Sequence, residues 1–326
     1  MDTVRTVLGD LPAADLGPTD YHEHLFQASP LLLGDELDNE AASGHEAVLL
    51  RESGFATMVD ATPLGLGARP QALSRISARS GLNVVAATGA HREVHYPDGH
   101  WLRSAAEDKL AARFYHDIEF GMEADDPEDP GQITPGVRVR AGLIKTGIGY
   151  WSVSRFERRV LAAAAHTHGR TGVAIMVHLE HGSAGIELLE MLGALGVSPD
   201  AVVLAHVDRN PDPVLHAELA AAGCYLGYDG FARTKLWPDS VLVDCFIRAA
   251  ELGATERLLL GGDVARRTRF VAYGGLPGMG YLGTRVIPRL IRTGHSQLVE
   301  AALVANPARL LARFPAPDAA AKEKHD

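Results

Sequence analysis

The sequence predicts an α/β protein folded as one (β/α)8 barrel, a TIM barrel, over residues 1–315 with a flexible tail at 316–326, and three observations predict it. Eight short apolar runs rich in β-branched residues each end at a polar residue. Stretches with helical spacing follow them, as an alternating β/α pattern requires. No Gly-x-Gly-x-x-Gly or phosphate-loop motif follows the first run, which argues against the competing doubly wound open sheet.

In chain order the predicted strands are Asp20–Phe26, the least regular, then Phe55–Asp60, Leu82–Thr88, Ala141–Lys145, Val173–His178, Val202–His206, Cys224–Tyr228 and Arg257–Asp263. Helical spacing is clearest over Arg69–Ser80, Val153–Arg170, Ala184–Leu195, Asp212–Ala222 and Ser240–Leu252, and Gly81, Gly172, Gly223 and Gly253 stand where helices would stop. Two segments break the repeat. Residues His91 to Gly136 hold a polar loop, one helix from about Trp101 to Met122 and an acidic run, Glu123 to Pro130, read as a solvated turn with a metal site as the lesser alternative. Thr268–Gly283 is Gly-rich and long for a βα loop, which suits a lid. The Ala/Lys/Glu-rich end, Ala316 to Asp326, should fray.

With 46% hydrophobic and 22% charged residues, 34 Gly and 18 Pro, the composition is that of a globular chain with many turns. The 41 acidic and 31 basic residues leave a formal charge of −10, and no Lys/Arg run interrupts it, so nucleic-acid partners are not expected. Cys224 and Cys245 are too few for a disulfide framework and read as buried, reduced thiols. Without a basic start followed by an apolar stretch, and without a run of about 20 apolar residues, neither a secretory signal nor a membrane span is expected; a cytoplasmic location is inferred. A homodimer is the common default for such chains.

In a barrel, chemistry sits where the strands end. His22 and His24, at i and i+2 of a strand, point to one face. Alone that is weak, because a His-x-His pair is often incidental. From Lys145 to His178 is 33 residues and from there to His206 is 28, each about one βα unit; from His206 to Asp263 is 57, two units. These four therefore end the fourth, fifth, sixth and eighth strands, at one mouth with the histidine pair. Imidazoles suit zinc, manganese, cobalt or iron, and a carboxylate completes a two-metal site whose bound hydroxide would be the nucleophile. Lys145 is the anomaly, since an ammonium is repelled by cations. Either a desolvated Lys145 reacts with CO2 to give a carbamate, or it pairs with a carboxylate at the mouth.

Tyr-His22-Glu-His24-Leu-Phe, Gly-Leu-Ile-Lys145-Thr-Gly, Met-Val-His178, Leu-Ala-His206-Val-Asp and Leu-Gly-Gly-Asp263 resemble the five metal-binding segments of the phosphotriesterase family of the amidohydrolase superfamily. Tyr281–Leu290 and Asn306-Pro-Ala-Arg309 resemble it too, and the likeness runs in order from about Val4 to Phe314. The resemblance implies a binuclear hydrolase, with zinc the favoured metal. His22, His24 and Asp263 would hold the buried ion, His178 and His206 the more exposed one, and carbamylated Lys145 would bridge them. Asp263 would also move the proton from the attacking hydroxide to the leaving group.

The substrate depends on loops. Arg233, Lys235, Arg266 and Arg267 lie in the loops after the seventh and eighth strands, a usual seat of phosphate in barrels. This is similar to the sugar-phosphate lactonase branch of the family, which implies Lys235 and Arg266 as holders of the phosphate of a furanose lactone. For each cation alone, solvation or pairing with an acid such as Asp229 or Asp239 is an equal alternative. Arg233 and Tyr96 are further candidates to orient substrate. His91 and His95 read as packing residues, and as ligands only if the five-segment reading fails; His181 and Asp208 are candidates to orient ligands. The expected activity is opening of an anionic lactone. The alternatives are a phosphotriesterase, an N-acyl amide hydrolase and a non-enzymatic anion-binding protein on a hydrolase scaffold.

Overall fold

The computed structural model describes residues 2–123, 138–233 and 235–312, so the acidic run from residue 124 onward and the tail at 316–326 lie outside the described residues. The chain opens with an antiparallel hairpin of β1 (Thr3–Thr6) and β2 (Gly9–Pro12) that the sequence reading did not include. Eight parallel strands follow: β3 (Thr19–Glu23), β4 (Thr57–Asp60), β5 (Asn83–Gly89), β6 (Ala141–Ile148), β7 (Ile175–Leu179), β8 (Val202–Ala205), β9 (Tyr225–Tyr228) and β10 (Leu258–Leu260). Each pairs with the next in chain order. The last returns beside the first, where the Asp263 N–H donates to the His22 carbonyl at 2.8 Å, so the sheet forms the expected barrel.

Alternation along the strands separates two cores. Val59, Val85, Leu143, Met176, Val203 and Leu259 face the barrel axis, while neighbours such as Val84, Ile144, Val177, Leu204 and Leu260 face the helices. The hairpin plugs the end opposite the site. Val4 packs into the axial core, and Gly142 is bare because a Cβ there would sit 2.4 Å from the Arg5 carbonyl.

The outer layer consists of α1 (Glu40–Glu52), α2 (Pro70–Ser80), α3 (Trp101–Ser104), α4 (Glu107–Glu119), α5 (Arg155–Thr171), α6 (Gly185–Ala194), α7 (Pro213–Ala221), α8 (Asp239–Ala249), α9 (Ile287–Arg292), α10 (Ser296–Glu300) and α11 (Asn306–Leu311). In α5, Ser154 and Glu157 form a capping box at the start, and Gly172 ends the helix in a left-handed conformation at φ 67°.

Three segments differ from expectation. The helix expected over Trp101–Met122 is two, because the chain extends at Ala105 and Ala106 and the Arg159 guanidinium takes the released Arg103 carbonyl at 2.6 Å. The helix expected to reach Leu252 leaves α-geometry after Ala249 for a wider turn over Ala250–Ala254. The segment read as a lid is tied down: buried Glu46 accepts the N–H groups of Ala272 and Met279 at 3.0 and 2.9 Å, and Asp35 accepts the Thr268 hydroxyl at 2.8 Å. Among the described residues no helix is long and apolar enough to cross a membrane.

Candidate active site

The C-terminal ends of the strands surround a cavity of about 260 Å³, and His22, His24, Lys145, His178, His206 and Asp263 all line it. His22 lies within β3 and His24 just beyond it, Lys145 within β6 and His178 within β7. His206 follows β8 directly and Asp263 lies three residues beyond the end of β10, and both hold positive φ, 66° and 44°. Non-glycine residues in that region are uncommon and concentrate at functional sites. The residues the sequence reading placed on separate strands thus meet at one mouth.

Hydrogen bonds to one ring nitrogen settle which nitrogen each histidine presents. Asp229 accepts from Nδ1 of His22 at 3.0 Å and from Nδ1 of His206 at 2.6 Å, so both rings carry their lone pair on Nε2, that of His22 facing Lys145 Nζ. His24 uses Nδ1 on the Thr62 hydroxyl at 2.7 Å, and its Nε2 faces Asp263 Oδ1 at 3.5 Å. His22 Nε2 faces the same oxygen at 3.8 Å. His178 differs, with Nε2 on Glu180 at 2.8 Å. Burial pushes His22 down to about 4 and His206 to about 3, so both rings are neutral ligand donors at neutral pH.

Among the described residues, two buried groups have metal-compatible spacing: His22, His24 and Asp263, and His22, His206 and Asp229. The donor chemistry separates them. In the first, two imidazole lone pairs converge on one carboxylate oxygen, which fits a divalent ion. In the second, Asp229 is occupied by two imidazole N–H groups and the Tyr21 hydroxyl, so it orients ligands. Burial raises the affinity of Asp229 for a proton, but its imidazole donors outweigh that and hold its carboxyl well below the usual range.

Lys145 is 1% exposed, with Nζ 3.1 Å from His22 Nε2 and 3.1 Å from Met176 Sδ. No carboxylate pairs with it directly among the described residues. Burial brings its ammonium down to about 8, against the attraction of Asp263 and Asp229. A substantial neutral fraction is therefore present near physiological pH.

The cations are arranged differently from expectation. Arg266 lines the cavity but is half-exposed and 3.5 Å from Asp35. Lys235 is exposed and is not among the described residues lining the cavity. Arg267 stacks over Tyr273 at 4.3 Å. Arg233 lines the cavity and donates to the Asp263 carboxylate and, at 2.8 Å, to its carbonyl, so it meets an acid other than the two considered. With His22 this guanidinium outweighs burial and holds the Asp263 carboxyl well below the usual range.

Tyr96 is not among the described residues lining the cavity: it is buried, and its hydroxyl donates to the Leu64 carbonyl at 3.0 Å and accepts the His91 N–H at 2.8 Å. Asp208 accepts the N–H groups of Asp229 and Gly230 at 3.0 and 2.7 Å, so it positions the residue that positions two ligands. His181 is half-exposed against Tyr150. The sequence reading missed Asp229 as an orienting group, and it missed Glu180, Arg92 and Arg209. Arg92 pairs with Glu180 at 2.9 Å, and Arg209 lies 3.5 Å from Asp263. Arg209 stands three residues after His206, a strand-end position that could have flagged it.

A model of the phosphotriesterase family matches residues 2–311. A phospho-furanose lactonase of Mycoplasmopsis synoviae (strain 53) is 30% identical over 323 residues, covering 94% of this chain and 91% of its own. A lactonase from Listeria monocytogenes superposes with a TM-score of 0.87 at 27% identity, covering 96% of this chain and 100% of that one. The phosphotriesterase homology protein of Escherichia coli, complexed with phosphate in its active site, superposes with a TM-score of 0.81 at 27% identity, covering 91% and 99%.

Proposed function

Since the chain belongs to the phosphotriesterase family, we propose that it is a metal-dependent lactonase acting on a small anionic lactone, a phosphorylated sugar lactone in particular. The observation that carries the anionic substrate is the cavity wall. Arg92, Arg209, Arg233 and Arg266 share it with the histidines, and the first three each keep a buried Nε without a partner among the described residues. Buried guanidinium donors left unpaired call for an anionic acceptor. The relative named as a phospho-furanose lactonase and the neighbour with phosphate in its active site support the same chemistry.

Two divalent ions, zinc best suited and manganese, cobalt or iron compatible, would be held by His22, His24 and Asp263 and by His178 and His206, and would supply Lewis-acid polarisation and water ionised near neutral pH. Neutral Lys145 Nζ would be able to add to CO2, forming a C–N bond and releasing a proton, and the resulting carbamate would supply anionic oxygen ligands. Asp263 receives the proton of the attacking water and returns it to the ring oxygen as the ester bond breaks. Arg233 and His22 keep its carboxyl ionised. Arg209 and Arg233 position the anion.

A neutral triester finds no Phe, Tyr or Trp among the described residues lining the cavity. Turnover of a phosphorylated γ-lactone, its unphosphorylated counterpart, paraoxon and an N-acyl amino acid, measured side by side, tests the reading. The phosphorylated lactone should rank first, and Arg209→Met should raise its KM by about tenfold or more, as loss of a charged hydrogen bond does. First rank for paraoxon or the N-acyl substrate would sink it.

A further inference from the structure

The loops after β3 and β5 contribute Gln27, His91 and His95 to the cavity wall. All three are at least nine-tenths buried, at 8%, 9% and 8% exposure. Their internal bonds determine what each presents. Ser29 Oγ accepts the Leu31 N–H at 3.3 Å and lies 3.0 Å from His95 Nδ1; with the hydroxyl hydrogen turned to that nitrogen, the His95 proton stands on Nε2. That Nε2 is buried without a partner among the described residues. His91 Nδ1 accepts the Arg92 N–H at 2.7 Å, which places its proton on Nε2 as well. Gln27 has its backbone paired with Leu37, and its Oε1 is buried and unpartnered.

A protonated ring nitrogen has no lone pair for a cation, so His91 and His95 do not extend the metal-ligand set. Being neutral, they do not duplicate the arginines. Neutral donors and a neutral acceptor on one wall are together satisfied by a group that both accepts and donates, namely a hydroxyl. We propose that Gln27, His91 and His95 form a hydroxyl-binding subsite that selects a polyhydroxylated lactone over one carrying hydrocarbon substituents. The inference rests on the lactonase reading above and adds the neutral part of the substrate to its anion. A site that pairs buried polar groups with substrate hydroxyls rejects analogues that leave those groups unpaired.

The test compares the metal-loaded full chain with Gln27→Leu, His95→Phe and His95→Gln, on ribonolactone and on γ-butyrolactone. Each apolar variant should reduce the ratio of kcat/KM for the two lactones by about tenfold, mainly through the KM for ribonolactone, and His95→Gln, which keeps an N–H donor, should retain part of it. Calorimetric preference for ribonate over γ-hydroxybutyrate should fall in parallel. An unchanged ratio, or equal losses on both lactones, overturns the subsite. A wild type that opens no lactone overturns the lactonase reading instead. In that case calorimetry decides the subsite: a ribonate preference that falls in the variants upholds it, and one that persists in them or is absent from the wild type overturns it.

Discussion

Asp229 holds two of the candidate ligands in one tautomer. Its two oxygens take Nδ1–H from His22 and His206 and a hydroxyl from Tyr21, and Asp208 fixes its own N–H. An Asn there keeps the shape but has one acceptor oxygen and an NH2 facing a donor. One imidazole must then move its proton to Nε2 and lose the lone pair that binds metal. Asp229→Asn should therefore weaken metal retention by about 10–100-fold, the usual effect of removing such a partner. Metal per chain after dialysis against a weak chelator, with circular dichroism to confirm the fold, measures it; retention equal to wild type would rule out the orienting role. The six ligand candidates were legible because barrel strands recur at a βα spacing and end at the mouth. Asp229 was not, because its partners at 21, 22, 206 and 208 are assembled only by the closed barrel. The His95 contact with Ser29, 66 residues away, was hidden for the same reason, whereas the His91 contact is local, with the adjacent Arg92 N–H.

At the scale of elements, apolar runs reveal strands and glycines reveal stops, and both were readable. The hairpin of β1 and β2 was not: Thr3–Thr6 and Gly9–Pro12 carry no apolar run, and no residue of β2 is fully buried. Nor was the break between α3 and α4, whose freed carbonyl is taken by a side chain on α5. Packing inside the barrel gives glycine a second meaning. A Cβ on Gly227 of β9 would lie 1.9 Å from the Tyr21 hydroxyl oxygen, and Tyr21 is 1% exposed with no room to retreat. Gly227→Ala should cost about 1–3 kcal/mol by overpacking, with further loss if the Tyr21 bond to Asp229 breaks. Gly193, exposed in α6 with nothing within 4 Å of a Cβ, is the opposite case. Gly193→Ala should add about 0.5–1 kcal/mol of helix stability. Urea denaturation of the pair reads both signs, and wild-type stability in Gly227→Ala would refute the packing account of β9.

Across the whole molecule, buried titratable groups pull stability in two directions with pH. Burial holds Asp20 and Asp208 up at about 8, so the folded state keeps protons that the unfolded chain releases near 4, and this contribution is lost as pH rises from about 4 to about 8. Histidines act in the opposite sense. His216, behind the barrel wall, accepts the Tyr228 hydroxyl at Nδ1 (2.5 Å) and donates from Nε2 to the Val207 carbonyl (3.1 Å), and burial pushes it from 6.5 down to about 4. The unfolded chain gains that proton below 6.5 while the folded chain does not, so stability is lost as pH falls from about 6.5 to about 4. A wild-type curve sums the two trends between pH 4 and 6.5 and cannot apportion them. His216→Leu separates them. The variant loses two buried hydrogen bonds and is less stable at pH 7, but it has no imidazole to protonate on unfolding, so its deficit should shrink by about 2 kcal/mol between pH 7 and pH 5. Urea midpoints of chelator-treated protein keep metal linkage out of the comparison. A deficit that stays constant with pH would mean that His216 titrates alike in both states, and that its burial exerts no control over the acid limb of stability.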